Sequence, residues 1–226
     1  MIDVKNLVKS FKDGPVETHV LKGIDFSAKK GEFISIMGRS GAGKSTLLYQ
    51  ISLLDEPTSG EIRISGRDTN TMSEKEKMLF RLSKFGYVFQ DYALLPELSA
   101  LENVLLPLLM QGVDREKAED KAREALERVG LGKRLKNLPG QLSGGEQQRV
   151  SVSRAIAHNP EILFADEPTA NLDRESSATV MDIFKELHGA GQTIIMVTHE
   201  EEYAQVTERI VKLDDGKIIS DEKVVR

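Results

Sequence analysis

The stretch Gly38-Arg39-Ser40-Gly41-Ala42-Gly43-Lys44-Ser45-Thr46 constrains this 226-residue chain more than any other. It follows the apolar run Phe33-Ile34-Ser35-Ile36-Met37 and precedes Leu47-Leu48-Tyr49-Gln50-Ile51. That order predicts a buried strand, a glycine-rich turn and a helix, and the turn fits the pattern G-x-x-x-x-G-K-[ST]. Consecutive backbone N–H groups in such a turn form a concave anion site. The helix behind it adds unpaired N–H groups and its positive dipole end. Glycine lets the backbone approach a phosphate with no Cβ in the way. Lys44 has the reach for β- and γ-phosphates, and the Ser45 hydroxyl can ligate Mg²⁺. At ordinary residue frequencies the four fixed positions recur in roughly one random chain of this length per hundred. Taken alone, the motif therefore leaves open a strand-to-helix turn with no ligand.

Composition narrows the classes. Charged residues make up 30% and hydrophobic residues 39%, ordinary for a globular protein large enough for one sizeable domain or two lobes. The net charge is −5 and acidic and basic residues are mixed along the chain, so no basic run argues for nucleic-acid binding. With no cysteine there is no disulfide framework and no thiolate metal site, which suits a reducing compartment. The N-terminus, Met1-Ile2-Asp3-Val4-Lys5, lacks the apolar h-region expected of a signal peptide. No apolar run approaches the ~20 residues that span a bilayer. A membrane role would need another chain as anchor.

Along the chain, residues 2–11 and 20–28 alternate as strands around the turn Asp13-Gly14-Pro15, and 61–65 reads as a third. Together they predict a small antiparallel sheet. Ser73 with Glu76 and Ser99 with Glu102 have capping-box spacing and start helices, the second containing Pro107, which should bend it. A strand over 85–89 ends at Gln90, and a charged amphipathic helix over 114–129 stops at Gly130. Strands at 162–165 and 193–197 flank another helix, and the turn Asp214-Asp215-Gly216 makes a hairpin near the end. The expectation is an α/β fold: a mainly parallel sheet, an N-terminal antiparallel β-subdomain and an inserted helical subdomain. As one domain over 1–226, it would place two lobes in 1–90 and 161–226 and a helical lobe at about 91–160.

Asp166-Glu167 closes the apolar strand 162–165, where α/β folds place ligands. Asp166 can hold Mg²⁺ through water and Glu167 can deprotonate an attacking water. A surface acidic pair before Pro168 is the plainer reading. Leu142-Ser143-Gly144-Gly145-Glu146-Gln147 opens a further helix. Ser143 and Glu146 form a capping box, and the two glycines leave bare N–H groups at the helix tip, a second anion site.

The order of Gly38–Thr46, Gln90, LSGGEQ, Asp166-Glu167, Ala170-Asn171-Leu172-Asp173 and His199 resembles the nucleotide-binding subunits of ATP-binding-cassette (ABC) transporters over nearly the whole chain. The resemblance implies an ATPase fold using ATP and Mg²⁺, and a head-to-tail dimer. Each ATP would lie between Lys44 of one copy and Ser143, Gly144 and Gly145 of the other. It further implies that Phe11 stacks on adenine, where the family usually has Tyr. Gln90 would ligate Mg²⁺ with Ser45 and Asp166 and sense the γ-phosphate. Asp173 would communicate across the dimer, its local alternative being a helix N-cap. His199 would contact the γ-phosphate. Arg39 stands where Pro is frequent and Glu146 where Gln is.

The apolar stretch 91–104 is read either as packing within the helical lobe or as a groove for a separate transmembrane subunit. Its wording, LLP then ALENV, is similar to the branch of lipoprotein-releasing, macrolide-efflux and peptide-antibiotic-resistance ATPases. The resemblance implies an ATP-hydrolysing motor of a membrane transport complex, cytoplasmic and peripheral on the inner face of the cell membrane. The alternative is the ATPase of a non-transport membrane complex that regulates cell-wall enzymes or cell division.

Overall fold

Alternation at the N-terminus builds the first sheet. In a computed structural model of the protein, which describes residues 1–225, β1 (Ile2–Asp13) pairs antiparallel with β2 (Val16–Ala28). After β3 (Phe33–Gly38) and α1 (Lys44–Ile51), β4 (Ser59–Ile64) joins the other edge of β1, and β5 (Arg67–Asp68) joins β4. Ile2, Val4 and Leu7 are buried while Asp3 and Lys5 are exposed, the period of a sheet covered on one face. Asn6, at φ 47°, sits in the register shift between Val4 and Leu7, and its N–H donates to Asp25 Oδ1 (2.7 Å).

The rest of the chain runs α2 (Glu74–Lys84), β6 (Phe85–Val88), α3 (Ala100–Met110), α4 (Arg115–Arg128), α5 (Gly144–Ile156), β7 (Ile162–Asp166), α6 (Arg174–Gly189), β8 (Thr193–Val197), α7 (Glu201–Ala204), β9 (Arg209–Asp214) and β10 (Lys217–Lys223). It forms two compact units, Met1–Leu79 with the chain from Gly191 onward, and Phe80–Ala190.

In the first unit, β3 runs parallel to β8 on one side and β9 on the other, and β10 closes the edge antiparallel to β9. All five residues of β8 are buried, as are Phe33, Ile34, Ser35 and Ile36 of β3. Such continuous apolar runs belong to strands covered on both faces. In the second unit β6 runs parallel to β7, whose five residues are all buried. Helices α3, α4 and α5 pack on one another, and α5 also lies against β6 and α6. Helix α4 meets its neighbours through Ala118, Ala122, Ala125 and Leu126, and Ser153 Oγ of α5 donates to the Ala125 carbonyl (3.0 Å).

The structure departs from the sequence expectation at the end of one strand. Strand β6 stops at Val88, because the Phe89 carbonyl accepts instead from the Tyr92 N–H and the Gln148 amide. Pro107 lies inside α3 without ending it, and the helix runs on to Met110. Both expected capping boxes form: Ser99 Oγ accepts from the Glu102 N–H (3.3 Å), and Ser73 does the same for Glu76 (3.3 Å).

Candidate functional site

The first unit carries the lysine turn. Three of its glycines have positive φ: Gly38 at 155°, Gly41 at 78° and Gly43 at 99°. Gly43 stands as N-cap of α1 with no side-chain cap, and that helix has no carboxylate in its first turn. A helix start of this kind favours an anion. A Cβ on Gly43 would lie 3.0 Å from Leu21 Cδ2 and 3.1 Å from the Val20 carbonyl. Lys44, only 7% exposed, curls back so that Nζ donates to the Arg39 carbonyl (3.1 Å). A cation held this way inside a ring of backbone dipoles is preorganised for phosphate oxygens. Arg39, Ser40 and Gly41 are exposed at the rim, Ser45 and Thr46 are half-buried, and Ala42 is buried.

Ala42 also explains a support that sequence reasoning missed. Its carbonyl accepts from the Gly216 N–H (3.1 Å), at the tip of the β9–β10 hairpin. The Gly216 carbonyl accepts from Lys22 N–H (2.9 Å), and Lys22 Nζ pairs with Asp215 (2.6 Å). The hairpin tip thus ties the lysine turn to β2. The turn residues 214–216 were legible, but not what they touch.

Phe11 stands on β1 and is 48% exposed. Lys9 Nζ lies 4.9 Å from the ring centroid and is itself fixed by Asp55 (2.8 Å) and the Glu56 carbonyl (2.6 Å). Gln50 of α1 donates to the same Asp55 (2.8 Å). The aromatic ring is thereby linked to the helix that begins at Lys44. His199 is exposed just beyond the carboxyl end of β8, whose neighbour is β3, and Thr198 N–H donates to the Ile36 carbonyl (3.2 Å).

The second unit carries the carboxylates. Asp166, 5% exposed, ends β7, and the next residue, Glu167, turns the chain with φ 44°. A non-glycine residue held there stores of order 1–3 kcal/mol of strain and is found where surrounding structure fixes a side chain's aim. The turn that follows is closed by Ala170 N–H on the Glu167 carbonyl (3.2 Å) and Leu172 N–H on Thr169 (3.1 Å). Asp173 then caps α6, accepting from Ser176 N–H (2.8 Å) and Oγ (2.9 Å), and these bonds hold its carboxyl below the usual range. The local role named for Asp173 is thus present.

Gln90 is exposed, and the backbone around it is bound at several points. Its carbonyl accepts from Asn171 Nδ2 (3.0 Å). Gln148, fully buried in α5, donates to the carbonyls of Pro168 (2.8 Å) and Phe89 (3.4 Å). Tyr92 and Ala93 follow with φ of 64° and 47°, a strained pair whose two carbonyls are both gripped by the Arg154 guanidinium, Tyr92 at 2.9 Å. Tyr92 Oη donates to the Asn171 carbonyl (3.4 Å). Residues 89–93 are therefore tied to α5 and to the 168–171 turn. Gln148 and Arg154 were not singled out in the sequence, since nothing local marks them, and Asn171 was named only within the stretch 170–173.

Helix α5 begins at the Ser143 N-cap. Ser143 Oγ accepts from the Glu146 N–H (3.2 Å), and Glu146 Oε2 accepts from the Ser143 N–H (2.9 Å). The capping box exists, and the Ser143 hydroxyl also serves the Glu146 carboxylate. Gly144 and Gly145 have no positive φ. Their small size answers to space instead. A Cβ on Gly144 would lie 2.9 Å from Tyr92 Oη, and one on Gly145 would lie 2.7 Å from Ser176 Cβ. The glycines let the starts of α5 and α6 approach.

Ser45 hydroxyl, Gln90 amide and Asp166 carboxylate are hard oxygen donors of the kind Mg²⁺ takes together with water and phosphate. Among the described residues no cluster of three or more His, Cys, Asp and Glu could hold a metal ion. Nor is any helix among them long and apolar enough to cross a membrane.

Comparison with known proteins gives the same picture. Residues 21–170 match the family model described as ABC transporter. An uncharacterized ABC transporter ATP-binding protein of Methanocaldococcus jannaschii is 50% identical over 219 residues, 97% of this chain and 98% of its own. The lipoprotein-releasing system ATP-binding protein LolD of Aquifex aeolicus is 46% identical, covering 97% and 95%. The macrolide export ATP-binding/permease protein MacB of Aggregatibacter actinomycetemcomitans is 45% identical over 98% of this chain but 34% of its own length. Among solved structures, the dimeric post-hydrolysis state of the ATP-binding cassette MJ0796 bound to ADP and Pi superposes with a TM-score of 0.93 at 41% identity, over the full length of both chains.

Proposed function

The chain belongs to the ABC transporter family and is the ATP-hydrolysing motor subunit of a membrane transport system; from that premise we propose that two copies close head to tail on ATP. In this reading the lysine turn of one copy and the α5 tip of the other grip the same phosphates. Lys44 clamps the β- and γ-phosphates, and the Ser143 hydroxyl with the Gly144 and Gly145 N–H groups faces them from the second copy. Phe11 stacks on the base. Glu167 takes the proton of the attacking water, a role worth roughly 10²–10⁴-fold. His199 holds the γ-phosphate, and Asp173 reaches toward the second copy. Ser45, Gln90 and Asp166 would hold Mg²⁺, which neutralises charge building on the phosphate oxygens.

The helical lobe at about 91–160 would carry the contact with a separate transmembrane subunit, through 91–104. There Leu95 is 45% exposed while Asn103, 1% exposed, fixes the backbone by bonds to the carbonyls of Leu95 (3.1 Å) and Leu98 (2.9 Å). An apolar side chain on a rigid loop suits a docking contact. The chain would sit peripherally on the cytoplasmic membrane face. Likeness to LolD and MacB favours an exporter or a lipoprotein- or peptide-handling system.

One observation carries the reading: a single chain holds two glycine-flanked helix tips, and only the first begins with a lysine. Glu167→Gln with saturating Mg-ATP should sediment as a dimer and turn over at least about 100-fold more slowly. A variant that stays monomeric, beside its membrane partner as well, would end the proposal.

A further inference from the structure

The signature helix of this chain opens with a negative charge. Glu146 lies in the first turn of α5, where the helix dipole welcomes a carboxylate. The same tip is read above as facing a polyphosphate, and there a carboxylate repels. Something must offset it. Arg134 Nε donates to Glu146 Oε1 (2.9 Å), while the other carboxylate oxygen accepts from the Ser143 N–H (2.9 Å). The chain of contact therefore runs from Arg134 through Glu146 to Ser143, the residue meant for the phosphate. The Ser143 N–H bond, reinforced by Arg134, keeps the Glu146 carboxyl below its usual range, so it stays ionised at neutral pH.

Arg134 does not hang on a loose loop. Its N–H donates to the Leu131 carbonyl (2.8 Å), and its carbonyl accepts from Asn137 N–H (2.9 Å). The next carbonyls, of Leu135 and Asn137, accept from the N–H groups of Leu101 (3.0 Å) and Ala100 (2.8 Å). These are the first donors of α3, which the helix itself cannot satisfy. The loop that presents Arg134 is thus the cap of the helix that begins inside the 91–104 stretch.

We propose that Arg134 is a positioning residue for ATP hydrolysis, which cancels the Glu146 charge at the α5 tip and, through that carboxylate, holds Ser143 for a phosphate carried by the second copy. The proposal rests on the head-to-tail reading above. It also supplies a route from the start of α3, where a membrane subunit would press, to the phosphate grip. As an exposed ion pair it adds little to folding stability. Its effect falls on nucleotide-dependent association, where the uncompensated charge meets others of like sign.

The test is a charge cycle: Arg134→Ala, Glu146→Gln and the double variant, each with and without Glu167→Gln. In the Glu167→Gln background, light scattering reads the Mg-ATP concentration that gives half-maximal dimer. Arg134→Ala should raise it about tenfold, the scale of one partly screened charge, with the melting temperature unmoved. The penalty should shrink in high salt and be largely rescued by Arg134→Lys. In the Glu146→Gln background, Arg134→Ala should no longer add a penalty. With Glu167 intact, the same pattern should appear in KM for ATP more than in kcat. An equal penalty in both backgrounds, or none beside Glu146, overturns the proposal. If Glu167→Gln alone never dimerises, the head-to-tail reading fails instead, and the KM cycle still decides whether Arg134 acts through the Glu146 charge.

Discussion

The starts of α1 and α5 are both glycine-flanked helix tips, and they are built on opposite principles. The α1 tip has a glycine N-cap, no side-chain cap and no carboxylate, and a buried lysine as its first residue. Its glycines serve the backbone, with positive φ at Gly38, Gly41 and Gly43. The α5 tip has a serine N-cap, a complete capping box and a carboxylate offset by Arg134. Its glycines serve space, beside Tyr92 and Ser176. In the proposed reading the α1 tip takes phosphates within its own chain, with Lys44 as their cation. In the same reading the α5 tip meets phosphates only when a second copy arrives, so it must be stable alone, and a capping box makes it so.

The strongest way to break this contrast is to remove the lysine. Lys44→Ala should cut hydrolysis by about 10²–10³, the scale of losing one preorganised donor to a developing charge. Retained turnover would leave the two tips equivalent. Next comes glycine exchange. Gly145→Ala should destabilise the fold by about 1–3 kcal/mol through overpacking against Ser176, and Ser176→Gly should restore it. Gly41→Ala meets no atom within 4 Å, so its penalty is backbone strain alone and no partner substitution relieves it. Denaturant melts of the three variants separate space from conformation. Ser143→Ala should cost about 1 kcal/mol by loss of the cap, and the α1 tip has no such side chain to lose.

The smallest effect is in acid. Glu102 and Glu146, both in capping boxes, have carboxyls lowered by serine groups, Ser99 for the first and Ser143 for the second. Groups lowered on folding stabilise fully above the unfolded value of about 4.3. That contribution is lost as pH falls through the folded values. Melting temperature should therefore drop below about pH 4.3. Glu102→Gln should make the drop shallower, and Lys44→Ala should not change its slope.

Much of this was legible because the carriers are contiguous. The lysine turn, Asp166-Glu167 and the Ser143–Glu146 box each fall within ten residues, so local chemistry announced them. The antiparallel sheet was legible from alternation in 2–11 and 20–28. Phe11 and His199 were reachable only through resemblance, since a lone ring on a strand carries no signal of its own. The end of β6 was misjudged by one residue because Phe89 looks like a strand residue, and its carbonyl partners, Tyr92 and Gln148, could not be seen in the pattern.

The sequence by itself determined which segments are strands and helices and where the helices are capped. These follow from hydrophobic period and from bonds between residues three or four apart. Only the tertiary structure decided what braces the short motifs: Gly216 on Ala42, Arg154 on Tyr92 and Ala93, Asn171 on Gln90, Arg134 on Glu146. Each of these bonds joins residues that chain order separates. An arginine, an asparagine or a glycine reads the same in sequence whether or not folding brings a carbonyl or a carboxylate to meet it.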